Sequence, residues 1–215
     1  MAIENRHIGI VGQSGSGKFE LLNHIISQYP FVIIFDNEEE YNEYKTFHNL
    51  QSLHVLIREH NANPRNKFIV RYVPLNKMDE IIQLNSLCSL IWTNRKAIQK
   101  GTCPLKLVIP EIAEYAIPKT YTKWLPLRTL IKRGRKFGIH ICWDTQKLSD
   151  CDNIIWGQTR FIYIFKCWGN DEKYLTEKTG IRELPKYIRE LGDYEFLKYD
   201  TKDRKLTIHN KLEIE

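Results

Sequence analysis

Short apolar runs rich in Ile, Val and Phe alternate along the chain with segments whose apolar positions fall at helical spacing. The runs His7–Val11, Phe31–Phe35, Phe68–Val73, Leu105–Ile109, Ile139–Trp143 and Phe161–Phe165 have strand length and are apolar on both faces. Strands of that kind are buried in a sheet covered by helices on both sides. Between them, Lys18–Gln28, Met78–Gln99 and Tyr121–Lys136 repeat apolar residues at helical intervals, as in Ile81, Leu84, Leu87, Cys88 and Ile91. The alternation predicts an α/β domain with a mainly parallel central sheet. After Cys167 the pattern changes to two short helices, Asp171–Thr179 and Leu184–Leu191, and a final pair of strands, Tyr194–Tyr199 and Lys205–His209, joined through Asp200–Arg204. That tail either completes the sheet or packs beside it. Residues Glu38–Pro64 are polar and of mixed charge, and read as an insertion or a short helix. No internal repeat or low-complexity linker divides the chain, so residues 1–215 read as one domain, with its core at about 7–166 and its C-terminal helices and strands at 167–215.

The first strand leads into Gly12-Gln13-Ser14-Gly15-Ser16-Gly17-Lys18, which fits G-x-x-x-x-G-K and opens a helix. Glycines let backbone N–H groups close on a phosphate, the helix N-terminus adds partial positive charge, and Lys18 reaches the β and γ phosphates. A Gly/Ser turn without a ligand does not account for a lysine at a helix start, where a cation opposes the macrodipole. The residue after the lysine is Phe19, where Ser or Thr ordinarily ligates magnesium. A phenyl ring cannot do so.

Leu105–Ile109 runs through Pro110 to Glu111, a strand ending in a carboxylate where additional-strand P-loop ATPases carry an Asp-Glu pair. Pro110 stands at the Asp position, and Glu111 reads either as the residue that polarises water or as a solvated strand end. Asp36, after Phe31–Phe35, and Asp144, after Ile139–Trp143, are rival sources of the missing charge, because strand ends on one side of a parallel sheet meet at the ligand crevice. In the run 133–146, Arg133 and Arg135 lie at a helix end and Gln146 follows the strand. A glutamine there can orient water or report a γ-phosphate. The arginines read either as a cationic helix C-terminus facing water or as fingers supplied to a neighbouring subunit.

Taken together, Gly12–Lys18, the strand ending in Asp36 with Glu40-Tyr41 beyond it, the Glu111 strand, and Arg133-Gly134-Arg135-x-x-Gly138 leading to Thr145-Gln146 resemble the HerA–FtsK superfamily of P-loop motors. Within it, the chain looks most like the compact DNA-packaging ATPases of membrane-containing double-stranded DNA viruses, over roughly residues 7 to 200. The resemblance implies a RecA-like (additional-strand) P-loop NTPase fold. It also implies ATP and Mg2+ as cofactors, a homo-oligomeric ring (hexamer or pentamer), double-stranded DNA as partner, and a capsid or portal protein to receive it. Gly12, Gln13, Ser14, Gly15, Ser16, Gly17, Lys18 and Phe19 would form the nucleotide loop, Glu111 would activate water, Gln146 would sense the γ-phosphate, and Arg133 or Arg135 would act in trans. Phe19 and Pro110 depart from the pattern, both at magnesium positions, so the metal ligands stay unassigned. A nucleotide-binding protein without turnover is the first alternative, and a small-molecule or nucleoside kinase the second.

Composition adds little to this picture but closes some routes. The 32 Lys and Arg against 26 Asp and Glu give a formal charge of +6, which suits an anionic partner. A ring motor would present basic and aromatic groups to DNA phosphates, for which Lys119–Arg128, with Tyr121, Lys123 and Trp124, is one source and a solvated, subunit-facing helix the other reading. No apolar stretch reaches the roughly 18 residues of a membrane span, and no signal-peptide pattern precedes the first strand, so the expected location is the host cytoplasm or the virion. The five cysteines show no CxxC pair and are expected to be reduced and buried. His48, His54 and His60 recur every six residues, a spacing that shares no helical face, so no metal site is expected there.

Overall fold

In the computed structural model, which describes residues 7–62, 67–75, 80–100 and 104–209, β1 (Ile8–Val11) and β2 (Phe31–Phe35) belong to one nine-stranded sheet. The other strands are β3 (Lys45–Phe47), β4 (Phe68–Tyr72), β5 (Leu105–Ile109), β6 (Ile139–Thr145), β7 (Phe161–Ile164), β8 (Phe196–Asp200) and β9 (Lys205–His209). Their spatial order is β3-β4-β2-β5-β6-β1-β7-β8-β9. All neighbours from β3 to β7 pair in parallel, and β8 pairs antiparallel with both β7 and β9. The final strand pair therefore completes the sheet. Arg160 anchors that hairpin to the start of β7, donating to Asp200 at 2.7 Å and Asp203 at 3.1 Å.

Period-two alternation sorts the side chains of β2 between two cores. Val32 and Ile34 pack with Leu21, Leu22, Ile25 and Ile26 of α1 (Lys18–Ser27). Phe31, Ile33 and Phe35 face the other side, against α2 (Leu50–Ala62), α3 (Glu80–Thr93), α4 (Arg95–Lys100) and α5 (Leu125–Arg133). Each fully buried Leu or Ile contributes about 1.5–3 kcal/mol relative to exposure, which is why strands apolar on both faces demand two helical layers. On the same side as that second layer lie α6 (Asn153–Gln158), α7 (Asn170–Thr179) and α8 (Leu184–Glu190).

Three expected elements change shape for local reasons. The segment 38–64 holds β3 and α2, whose Leu53, Leu56, Ile57 and His60 are buried at the i, i+3, i+4, i+7 spacing of one helical face. Asn49 starts that helix, its Oδ1 accepting the Ser52 N–H at 2.8 Å. The single helix expected over Met78–Gln99, whose first two residues lie outside the described ones, is two helices. Asn94 separates them by turning its side-chain amide onto the Leu90 carbonyl at 2.9 Å. The helix expected from Tyr121 begins only at Leu125, with Pro126 in its first turn, and gives way at Gly134 to a 3-10 turn through Phe137. Trp124 is fully buried and donates its indole N–H to the Ile117 carbonyl at 3.1 Å, so it is a core residue and not a DNA-facing one. Cys88, Cys142, Cys151 and Cys167 are free thiols in the core, and Cys103 lies outside the described residues. No helix among the described residues is long and apolar enough to cross a membrane.

His7, just before β1, ties two distant elements to the sheet. Its Nδ1 accepts the Ile141 N–H at 2.8 Å, which leaves Nε2–H to donate to the Ile131 carbonyl at 3.1 Å. Burial pushes its pKa down from 6.5 to about 4, the Ile131 bond opposes this, and Lys106 and Arg135 add to the depression. The neutral ring thus supports the fold fully above pH 6.5, and the support is lost as pH falls towards 4 because the unfolded chain binds the proton first. Between about pH 7.5 and 5, wild type should lose about 2 kcal/mol relative to a His7→Gln variant, in which every other group titrates alike. Urea unfolding of both proteins at the two pH values measures the difference; parallel losses would show that His7 is not held neutral.

Candidate active site

The loop 12–17 follows β1, whose neighbours on either side, β6 and β7, hold the loop's root. The Gly12 N–H donates to the Thr145 carbonyl at 3.3 Å and the Gln13 N–H to the Lys166 carbonyl at 3.0 Å. A Cβ at Gly12 would lie 2.6 Å from Phe165 Cβ, so only glycine passes there. Gly17, at φ +103°, makes the final left-handed turn into α1. Ser14 and Gly15 are exposed at the loop's tip, while the Ser16 hydroxyl is buried with no hydrogen-bond partner among the described residues.

Lys18 is 7% exposed and donates to the Gln13 carbonyl at 2.8 Å, closing the loop on itself from within. Burial lowers the pKa of its ammonium, and Asp144, Glu111 and Glu40 raise it again. Those carboxylates line, with the loop, a cavity of about 650 Å3. Glu111, beyond Pro110 at the end of β5, sits at φ +44°. A non-glycine residue in that region carries a cost of roughly 1–2 kcal/mol, and the contacts that hold it there are specific. Its N–H donates to Asp144 Oδ1 at 2.9 Å; its Oε1 accepts the Thr145 hydroxyl at 2.7 Å and the Gln146 N–H at 3.0 Å. The ends of β5 and β6 are thereby laced together, with the Glu111 carboxylate oriented at the cavity wall. Asp144 stands half-buried beside Lys18. Burial pushes its carboxyl up to about 6, the Glu111 N–H and then Lys18 pull it down, and Glu111 and Glu40 push it up.

Asp36 does not fill the gap left by Pro110. It is 1% exposed, pairs with the Arg71 guanidinium at 2.9 Å, and accepts the Glu40 N–H at 3.0 Å and the Tyr41 N–H at 3.2 Å. Its charge is spent on holding the turn after β2. Phe19 rests its ring against Tyr41, centroids 5.1 Å apart, and the α1 position that would carry a metal-binding hydroxyl is apolar. Among the described residues, no group of three or more His, Cys, Asp and Glu side chains could hold a metal ion. The donor set fits magnesium only in the manner magnesium prefers with nucleotides, keeping several waters, with Asp144 and Glu111 as the carboxylates beside the loop.

Gln146 lines the cavity next to Glu111. Arg133 and Arg135 do not line it: they are exposed and precede β6, a strand of seven residues and therefore about 20 Å long, whose other end carries the site. Neither can reach the cavity of its own chain. Glu114, Tyr115 and Tyr194 also line the cavity, and none of them stood out in the sequence. Glu114 and Tyr115 lie at the end of a short 3-10 turn that has no periodic pattern, and Tyr194 stood at the start of an expected strand although Gly192-Asp193 before it is a turn signal.

The phosphate loop on β1 between β6 and β7, and the parallel sheet extended by an antiparallel pair, define a RecA-like, additional-strand P-loop NTPase fold. No protein-family model and no curated protein matches the chain. Solved structures do. The genome packaging NTPase B204 from Sulfolobus turreted icosahedral virus 2, in complex with ATP-gammaS, superposes with a TM-score of 0.74 at 19% identity, covering 96% of this chain and 98% of that one. B204, the DNA-packaging ATPase from Sulfolobus turreted icosahedral virus, gives 0.73 at 19% identity, with 98% and 99% covered. VirB4 of Thermoanaerobacter pseudethanolicus gives 0.66 at 11% identity, with 97% and 89% covered. At these identities the likeness establishes the fold.

Proposed function

We propose that this chain is an ATP hydrolase that drives double-stranded DNA through a homo-oligomeric ring, hexameric or pentameric, and packages a viral genome into a capsid, docking on a capsid or portal protein. The observation that carries the enzymatic part is the shared cavity. Lys18 and the phosphate loop stand on one wall, and Glu111, oriented by Thr145 and Gln146, on another. A site for phosphoryl transfer to water needs positioning and electrostatics more than covalent chemistry. Gly12–Lys18 bind the triphosphate, Glu111 polarises the attacking water, and Gln146 senses the γ-phosphate. A magnesium ion bound with the nucleotide would supply charge neutralisation, held through water by Asp144 and Glu111. Arg133 and Arg135 serve a neighbouring subunit's nucleotide, consistent with their distance from their own. Nearly full-length fold likeness to a protein described as a DNA-packaging ATPase supports the translocation part.

Steady-state ATP hydrolysis with and without Mg2+ and double-stranded DNA tests the proposal. Turnover that requires Mg2+ and rises with DNA, more at low salt than at high salt, is the expected result. Phe19 at the hydroxyl position favours one rival, a nucleotide-binding ring component without turnover; ATP binding with no hydrolysis under any of these conditions would select it.

A further inference from the structure

A triphosphate seated on the loop with its terminal phosphate towards Glu111 must send its ribose and base off the loop on the opposite side. That side holds a second cavity of about 280 Å3, lined by Gly15, Ser16, Lys166 and the turn 192–195. It lies next to the large cavity, and Tyr194 lines both. Tyr194 is 46% exposed, and its backbone is at φ +66°, a conformation bulky residues seldom adopt. The surrounding turn holds it there: Glu195 folds its carboxylate back to accept the Gly192 N–H at 2.6 Å, and its own N–H reaches the Gly192 carbonyl at 3.4 Å. The ring lies so close over the loop that a Cβ at Gly17 would come within 2.9 Å of Tyr194 Cδ1. Behind it, Phe165 and Phe196 pack at 5.3 Å and fix the turn to β7 and β8.

We propose that Tyr194 is the nucleobase platform of this site, and that the second cavity takes the base and ribose of a nucleoside triphosphate. The inference rests on the nucleotide-binding reading above and deepens it. Base–aromatic stacking tolerates any base, because every base has a π-face, and it strengthens with the size of that face. The platform therefore contributes affinity for purine over pyrimidine triphosphates without strict selection. A tyrosine that merely covered Gly17 would stabilise the loop equally for any ligand with phosphates.

Equilibrium titration of ATP and of inorganic tripolyphosphate into wild type, Tyr194→Asn, Tyr194→Phe and Lys18→Ala separates these roles. Asparagine tolerates the left-handed backbone and so removes the ring without forcing the turn open; Tyr194→Gly serves as a second ring-free variant with the same tolerance. Expected are an ATP affinity about tenfold or more weaker in Tyr194→Asn and Tyr194→Gly, little change in Tyr194→Phe, and tripolyphosphate affinity unchanged across the three Tyr194 variants. Equal weakening of both ligands, or no weakening of ATP, overturns the platform while Lys18-dependent ATP binding leaves the nucleotide reading standing. Wild type that binds neither ligand overturns both.

Discussion

Glu111→Gln is expected to slow ATP hydrolysis about a hundred- to ten-thousandfold, the range for loss of a positioned general base, while ATP binding stays near that of wild type. The substitution is chosen because it changes charge and little else. An amide oxygen can still accept the Thr145 hydroxyl and the Gln146 N–H that Glu111 Oε1 now accepts, so the stitch between β5 and β6 persists. What disappears is a carboxylate able to take a proton from water. Glu111→Ala would confound the two effects, since it removes the side-chain stitch and leaves a left-handed backbone at φ +44° held only through main-chain bonds such as the N–H to Asp144. Single-turnover hydrolysis together with equilibrium ATP binding makes the measurement. A Gln variant that hydrolyses at the wild-type rate would remove Glu111 from the chemistry and turn attention to Asp144, its neighbour 2.9 Å away. A variant that also loses affinity would show that the carboxylate serves the loop's shape.

Much of this site was legible because its parts are local in sequence. A phosphate loop is seven consecutive residues between a strand and a helix, and each residue type has its own physical reason to be there. The strands ending near Glu111 and Gln146 were readable because apolar runs buried on both faces leave little ambiguity. Asp36 and Asp144 were indistinguishable by pattern, each a carboxylate closing a buried strand. The difference lies in partners far along the chain: Arg71 on β4 neutralises Asp36, and the Glu111 N–H after β5 takes one oxygen of Asp144. Trp124 looked available among basic and aromatic neighbours, yet a carbonyl seven residues earlier satisfies its indole and lets it sink into the core. In α2 the helical spacing was present, but polar residues between the buried positions masked it. Tyr194 depended on a turn whose geometry a side chain, Glu195, enforces, and turn chemistry of that kind has no periodicity to read.

Lys18→Ala is expected to weaken ATP binding about a hundredfold or more and to abolish measurable turnover, because charge-assisted contacts to phosphate are the strong ones and, among the described residues, this lysine is the one cation lining a cavity that carries several carboxylates. Glu38, Glu40, Glu111, Glu114 and Asp144 share that cavity, so a triphosphate entering without Lys18 meets carboxylates on the opposing walls. The loop's N–H groups and the α1 terminus carry only partial charges. Lys18 also moderates Asp144, whose carboxyl it pulls down against burial. Its removal should therefore leave Asp144 protonated to higher pH and less able to hold a metal. Lys18→Arg is expected to fail as a rescue: the ammonium is buried and bonded to the Gln13 carbonyl at 2.8 Å, a position that suits a compact point donor and not a planar fork. Titration of ATP into both variants, followed by turnover at saturating nucleotide, makes the comparison. Affinity within about threefold of wild type in Lys18→Ala would mean that the backbone of the loop binds phosphate unaided, and that the lysine is placed for the transition state alone. Turnover would then fall with binding intact, the pattern of an interaction made only as charge develops on the transferring group.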